Sequence, residues 1–178
     1  MSLKLHLGCG EKHIEGFLNI DIRSMSSVDK VDNIRYLRSF KEDSVDLIYS
    51  CAVLEHFIRW EYKNVLRRWY EILKPGGVLR VGVPDFEAIV NYYQKNKDID
   101  SIMGLLYGGQ DYDQNFHYVC WDFNRLKTDL EDLGFKDIHR YDWRKTEHAD
   151  IDDFSQSYLP HMDKENGMLM HLNVEATK

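Results

Sequence analysis

The stretch Leu5-His6-Leu7-Gly8-Cys9-Gly10 decides the fold, because an apolar strand runs directly into a Gly-x-Gly turn. Glycines at such a turn let the backbone approach a ligand closely, and a helix N-terminus beyond it attracts polar or anionic groups. The next strand-like run, Phe17-Leu18-Asn19-Ile20-Asp21, ends on an acid that can accept hydrogen bonds from both hydroxyls of a ribose. This combination predicts a cofactor that carries a nucleoside.

The composition is that of an ordinary globular chain with an acidic balance. The formal net charge is −7, and nucleic acid is therefore not an expected partner, because a phosphate backbone calls for a basic patch. No apolar run approaches the ~20 residues that span a membrane, and no signal-peptide pattern opens the chain. The widely spaced Cys9, Cys51 and Cys120 suggest reduced thiols in a cytoplasm. A length of 178 residues predicts one domain over residues 1–178.

Strand-like and helix-like periods alternate along the chain, which is typical of a parallel α/β sheet. The predicted strands are Leu3–Leu7, Phe17–Asp21, Asn33–Leu37, Val45–Ser50, Val78–Val83, Lys136–Tyr141 and Met168–Ala176. Helices are predicted over Val65–Leu73, after Asp85 as N-cap, and from Asp122 to Gly134. The irregular stretches Ser101–Trp121 and Arg144–Gly167 are long loops, which are usually functional.

Several motifs follow one another in a fixed order. They are Leu7-Gly8-Cys9-Gly10, Asp21, Asp43–Ser50 running into Val53-Leu54-Glu55-His56, and Leu73–Leu79. This ordered set resembles the class I S-adenosylmethionine-dependent methyltransferases. Further segments resemble a small bacterial branch of these enzymes that is associated with surface-polysaccharide biosynthesis. Those segments are Val83–Phe86, Tyr107–Gln110, Asn115–His117 and Asp152–Ser155.

The resemblance implies a doubly wound, seven-stranded mixed sheet, Rossmann-like, with an antiparallel last strand. The late strands Lys136–Tyr141 and Met168–Ala176 fit that last pair. The chain departs from the pattern in two ways, since no helix is expected before the first strand and the spacing from Gly10 to Asp21 allows a first helix of little more than two turns.

The resemblance also implies where the cofactor S-adenosylmethionine binds. Gly8 and Gly10, with Cys9 between them, would lie under its methionine part, and Asp21 would hold the ribose hydroxyls. The remaining implied contacts are Asp32 or Asn33 near the adenine edge, and Ser50 and Cys51 beside the sulfonium.

Two histidines are candidate catalytic residues. Alignment of nucleophile, methyl and sulfur can contribute ~7–11 kcal/mol to methyl transfer, and a base that removes a hydroxyl proton adds ~10²–10⁴-fold. His56 follows the fourth strand at the crevice of the sheet, although Glu55 and His56 could instead only open a helix. His117 lies in the aromatic and polar loop Asp111–Tyr118, which suits a sugar, although its aromatics could simply fold the loop onto the sheet edge.

These features predict a methyltransferase that O-methylates a saccharide or another small polar molecule. The expected partner is a small-molecule substrate such as a nucleotide sugar, and a homodimer is possible. Two alternatives remain open: a cofactor-binding protein that has lost its chemistry, and a nicotinamide-dependent oxidoreductase. The second is disfavoured by the segment Leu73–Gly77 and by the absence of a third spaced glycine after Gly10.

An acidic run, Glu147–Asp153 with His161 beyond it, has a composition that could suit Mn²⁺ or Mg²⁺. It shows no ligand spacing typical of a metal site, and acidic runs are usually solvated. No metal site is therefore predicted.

Strand register gives one more expectation. If the strand ends at Gly8, Ser50 and Pro84 are level, three charged residues four positions below share one thinly covered face of the sheet. They are Lys4, Asp46 and Arg80, with Asp46 between the two cations.

Overall fold

The computed structural model describes residues 2–178, which form a seven-stranded mixed sheet together with helices. The strands are β1 (Lys4–Leu7), β2 (Leu18–Asp21), β3 (Lys30–Val31), β4 (Val45–Cys51), β5 (Leu73–Pro84), β6 (Lys136–Arg140), β7 (Tyr158–Leu159), β8 (Met168–Leu169) and β9 (His171–Thr177). The sheet has the order β3-β2-β1-β4-β5-β9-β6, and β7 pairs separately with β8. Because β9 runs antiparallel to both of its neighbours, the predicted fold class with its antiparallel last strand is confirmed.

Four α-helices accompany the sheet. They are α1 (Tyr62–Ile72), α2 (Phe86–Asn96), α3 (Asp100–Tyr107) and α4 (Phe123–Glu131). Apolar residues recur at helical spacing in α1, and Val65, Leu66 and Trp69 are buried against the sheet. The two predicted N-caps are confirmed, because the Asp85 carboxylate accepts a hydrogen bond at the start of α2 and the Asp122 carboxylate does so at the start of α4.

Four predicted elements are corrected. The third strand is Lys30–Val31 rather than Asn33–Leu37, because the Asn33 side chain accepts the Arg35 N–H and folds that stretch into turns. The last run splits at Met170, which separates β8 from β9. The Met170 N–H donates to the Ser157 carbonyl, and its carbonyl accepts the Asp85 N–H. The stretch Ser101–Trp121 includes most of α3. Within the described chain, turns rather than a short helix connect β1 to β2.

The predicted row of Lys4, Asp46 and Arg80 is wrong, because the strand ends are not level. Lys4 lies opposite Leu47, whereas Arg80 lies opposite Tyr49, and a bulge before Leu47 displaces Asp46. Asp46 instead accepts hydrogen bonds from the Leu3 N–H and from Lys74, at 2.7 and 2.8 Å. The pair with Lys74 is partly exposed, and such pairs contribute little to stability.

Lys4 and Arg80 do share a partner, which is Glu147 from the segment after β6. The Glu147 carboxylate lies 3.1 Å from the Lys4 amine and 2.7 Å from the Arg80 guanidinium. Burial alone would raise the pKa of Glu147, but hydrogen bonds from Arg80 and Lys4 outweigh it and lower that pKa to about 2. This face of the sheet is therefore covered by the C-terminal half of the chain and is not thinly covered as expected.

His148 seals the same face beside Glu147. Its ring lies 4.0 Å from that of Tyr49 and meets the edge of Phe17, and only 4% of the residue is exposed. The Tyr49 hydroxyl donates to Asp153 at 2.5 Å, and this bond holds the segment after β6 on the sheet at a second point. The long loop after β6 thus has a structural role in closing the core.

His148 should make the fold sensitive to acid. Burial and the nearby Arg80 lower the pKa of His148 to about 4, against the opposing influence of Asp153 and Glu147. An unfolded histidine titrates near 6.5, so the stability it contributes is complete above that pH and is lost as pH falls toward 4. We expect His148→Phe, which cannot titrate, to reduce the loss of unfolding free energy between pH 7 and pH 4 by roughly 3 kcal/mol.

Urea unfolding of the two proteins at a series of pH values measures this difference. The exposed His139→Phe serves as the matched control and should follow the unmodified chain. Parallel pH profiles for His148→Phe and the unmodified chain would contradict the prediction.

No helix in the described part of the chain is long and apolar enough to cross a membrane.

Candidate active site

A cavity of about 410 Å³ lies beyond the carboxyl ends of β1, β2 and β4, where ligands bind in open α/β sheets. Its volume falls within the ~300–1,000 Å³ typical of small-molecule sites. The residues that line it come from three places: the strand ends, the 3₁₀ helix Leu54–His56 with the residues around it, and the loop after α3. They are Gly8, Asp21, Ile22, Arg23, Asn33, Ile34, Arg35, Ala52, Val53, His56, Phe57, Ile58, Tyr112, Asp113, Gln114 and Tyr118.

The turn after β1 is held against β2. The backbone N–H groups of Gly8 and Cys9 both donate to the Ile20 carbonyl, at 2.8 and 3.1 Å. Gly8 has a φ of +69°, and a Cβ there would collide with the Val53 side chain, so the turn requires glycine. Gly8 lines the cavity, whereas the thiol of Cys9 is buried under the turn, and burial together with the nearby Asp21 raises its pKa to about 12.

Asp21, at the end of β2, organises this turn. One carboxylate oxygen accepts the Gly10 N–H at 2.9 Å, and the other accepts the Arg23 N–H at 2.9 Å. Asp21 is 6% exposed and lines the cavity, and the Arg23 Nε–H also donates to it at 3.4 Å. A carboxylate has about four acceptor sites, so it can take a further donor after these three bonds. Gly10 therefore acts through Asp21 rather than as a wall of the cavity.

The two candidates for the adenine edge differ in position. Asn33 lines the cavity, next to the apolar Ile34. The Asp32 carboxylate is occupied by Ser39 and by Lys30, and Asp32 is not among the lining residues.

The two candidates for the sulfonium end lie beneath the cavity. The Ser50 hydroxyl is buried and donates to the Leu7 carbonyl at 3.0 Å, which ties β4 to β1. Cys51 points toward Gly82 on β5, and burial raises the pKa of its thiol well above the ordinary value. Neither Ser50 nor Cys51 is among the residues that line the cavity.

The side chains of the two candidate catalytic histidines are in contact. Their rings pack edge to face with centroids 4.8 Å apart, although His56 and His117 are far apart in sequence. His56 lines the cavity. Burial, reinforced by His117, lowers the pKa of His56 to about 4, and burial also lowers the pKa of His117. Both imidazoles are therefore neutral at neutral pH.

Backbone contacts explain why this loop meets the 3₁₀ helix. The Tyr118 N–H donates to the Glu55 carbonyl at 2.8 Å, and the His117 N–H donates to the Tyr107 carbonyl at 3.1 Å. At the far end of the loop, the Arg23 guanidinium lies 4.8 Å from the Tyr112 ring centre. The loop thus forms one wall of the cavity from the turn after β2 to the 3₁₀ helix.

The sequence interpretation did not predict several residues that line the cavity. Arg23, Arg35, Phe57 and Ile58 lie within a few residues of the recognised strand ends and motifs, which was the only sequence signal for them. In the acidic run after β6, Glu147 and His148 serve the core, Lys164 pairs with Asp152, and His161 is exposed.

The cavity suits a nucleoside-bearing cofactor. It joins a buried acid at a strand end, Asp21, to the close-packed glycine turn at Gly8, and Ile22 and Ile34 provide apolar surface for a ring. The residues present therefore fit the group that the fold implies.

Known proteins support this interpretation. Residues 19–81, about a third of the chain, match the family model described as a methyltransferase domain. No curated protein matches the chain.

Solved structures resemble almost the entire chain at low identity. A methyltransferase from Archaeoglobus fulgidus, described as dependent on S-adenosylmethionine, is 20% identical with a TM-score of 0.61, covering 99% of this chain and 86% of that one. A possible histamine N-methyltransferase from Thermotoga maritima is 17% identical with a TM-score of 0.63, covering 100% and 83%. The 1,6-didemethyltoxoflavin-N1-methyltransferase of Burkholderia thailandensis, solved with its substrate and S-adenosylhomocysteine, is 16% identical with a TM-score of 0.61, covering 99% and 71%.

The solved structures confirm the predicted fold. The family model agrees with the predicted class of enzyme, a methyltransferase, over the residues that it matches.

Proposed function

We propose that the chain O-methylates a saccharide or another small polar hydroxyl compound. The observation that carries this proposal is one cavity lined both by Asp21 and Gly8 at the strand ends and by His56 and the loop after α3, which together form what we call the acceptor end. The first pair would hold the cofactor, and the second set would hold the acceptor.

The cofactor contacts are proposed from the lining of the cavity. Asp21 would accept the ribose hydroxyls, Gly8 would lie under the methionine part, and Asn33 would face the adenine edge. Gly10 would act by holding Asp21 in place. Four other residues stay predictions as part of the cofactor site, where they would support the lining residues rather than contact the cofactor. They are Cys9, Asp32, Ser50 and Cys51.

Methyl transfer breaks the bond between sulfur and methyl carbon, forms a bond from that carbon to the acceptor oxygen, and releases S-adenosylhomocysteine and the hydroxyl proton. The chain has to position the acceptor and assist loss of that proton. His56 is suited to the second task because it lines the cavity, and His117 packs against it.

The acceptor end favours a sugar. Tyr112 and Tyr118 present aromatic surface to the cavity, and Asp113 and Gln114 present hydrogen-bonding groups beside them. Sugars use both kinds of surface, since their C–H faces stack on rings while their hydroxyls bond to polar groups. The link to polysaccharide biosynthesis, the cytoplasmic location, the homodimer and the single domain over residues 1–178 stay predictions.

Turnover tests the proposal. The full chain is incubated with S-adenosylmethionine and a panel of nucleotide sugars, oligosaccharides and amines, and release of S-adenosylhomocysteine is measured. Turnover with a hydroxyl acceptor supports the proposal, whereas turnover only with amines or a macromolecule contradicts the acceptor class. Cofactor binding without any turnover would favour the alternative of a binding protein, and binding of NADH in its place would favour an oxidoreductase.

A further inference from the structure

Glu55 is a buried acid without a partner. Its residue is 0% exposed, and neither carboxylate oxygen forms a hydrogen bond within residues 2–178. A buried carboxylate without a partner is costly, and native proteins keep such groups mainly where a ligand or a proton satisfies them.

Hydrogen bonds to the backbone fix the tautomers of the two histidines beside Glu55. Nδ1 of His56 lies 3.2 Å from the Phe116 carbonyl, and Nδ1 of His117 lies 2.9 Å from the Leu105 carbonyl. A carbonyl only accepts, so each Nδ1 carries the proton and each Nε2 keeps a free lone pair. Backbone carbonyls fix metal-binding histidines in the same way.

The three side chains converge on one point. One ligand atom from each of Glu55, His56 and His117 lies within 4.8 Å of the others. Bonds of ~2.0–2.2 Å to a common ion would bring these atoms to about 3–4 Å from one another, a closure that small side-chain rotations supply.

We infer that Glu55, His56 and His117 form a binding site for a divalent first-row transition ion. Two imidazole nitrogens and one carboxylate oxygen suit Mn²⁺, Fe²⁺, Co²⁺ or Zn²⁺ better than Mg²⁺, which prefers oxygen ligands. A bound ion would also satisfy the otherwise unpartnered Glu55 carboxylate.

The role of this site rests on the proposed function. His56 belongs both to the three ligands and to the acceptor end of the cavity. Three protein ligands leave positions open on the ion, and an acceptor oxygen there would lose its proton more readily. The histidines would then assist proton loss as metal ligands rather than as free bases.

Titration of the full chain with Co²⁺ tests the site directly, because the visible absorption of Co²⁺ reports its ligands without any need for turnover. We expect about one equivalent to bind, with affinity at least tenfold weaker in Glu55→Gln and in His117→Ala. Glutamine keeps the size and hydrogen-bonding shape of neutral Glu55, and the half-buried His117 provides a second variant if the first fails to fold.

Two controls separate the possible outcomes. His161→Ala removes an exposed histidine near the acidic run and should bind Co²⁺ as the unmodified chain does. Asp21→Ala should lose cofactor binding but keep Co²⁺, so failure of the proposed function and failure of the metal site remain distinguishable. The inference is overturned if no saturable binding occurs at millimolar Co²⁺, if Glu55→Gln and His117→Ala bind normally, or if His161→Ala abolishes binding.

Discussion

Asp21→Ala is expected to weaken binding of S-adenosylhomocysteine by ~10–100-fold. The carboxylate would lose its bonds to the ribose hydroxyls, and hydrogen bonds to charged groups are worth ~1.5–3 kcal/mol. The same change leaves the N–H groups of Gly10 and Arg23 without their acceptor, so the turn after β1 loses its shape as well. Calorimetric titration with S-adenosylhomocysteine measures the loss.

Asp132→Ala is the control, because Asp132 is an exposed acid that pairs with Lys63 on the surface and does not line the cavity. We expect its affinity to remain within about twofold of the unmodified chain, since exposed ion pairs contribute little. Equal losses in the two variants would show that the acid at residue 21 has no special role. Unchanged binding in Asp21→Ala would place the cofactor elsewhere.

His56→Ala is expected to lower turnover by ~10²–10⁴-fold while S-adenosylhomocysteine affinity stays within about threefold. A group that assists proton loss contributes on this scale, and the cofactor contacts proposed above do not include His56. Steady-state release of S-adenosylhomocysteine at saturating acceptor gives the turnover, and calorimetry gives the affinity. The loss should appear in kcat rather than only in KM, because the proton leaves during the reaction.

His13→Ala is the control for this prediction, because His13 is exposed and does not line the cavity. It should leave turnover unchanged. Full activity in His56→Ala would contradict the assignment of the histidine pair to the acceptor end.

The sequence was most informative where local chemistry and packing agree. Gly8 marks a turn that only glycine can make, Asp21 marks the end of a strand, and the apolar spacing of α1 marks its buried face. Each of these signals depends on a few neighbouring residues. They were sufficient for the alternation of strands and helices and for the end of the sheet where the cavity lies.

The register of the strands and the contacts between distant segments could not be predicted from the sequence in the same way. Equal spacing from the strand ends suggested a row through Asp46, but a single bulge in β4 moved that residue out of it. The meeting of His56 with His117 depends on backbone bonds between a 3₁₀ helix and a distant loop. The sequence around Glu55 did not indicate that its carboxylate is buried without a hydrogen bond in the described chain, because that depends on the residues that fold around it.

The position of β9 has a consequence for how the chain leaves the ribosome. Among the described strands, β6 pairs only with β9 in the sheet, and β9 is synthesised after all the others. Until β9 emerges, β5 presents an open edge rich in valine, and β6 has no neighbouring strand to pair with. Because open apolar edges invite pairing between chains, the sheet is most exposed to misassembly just before β9 is synthesised.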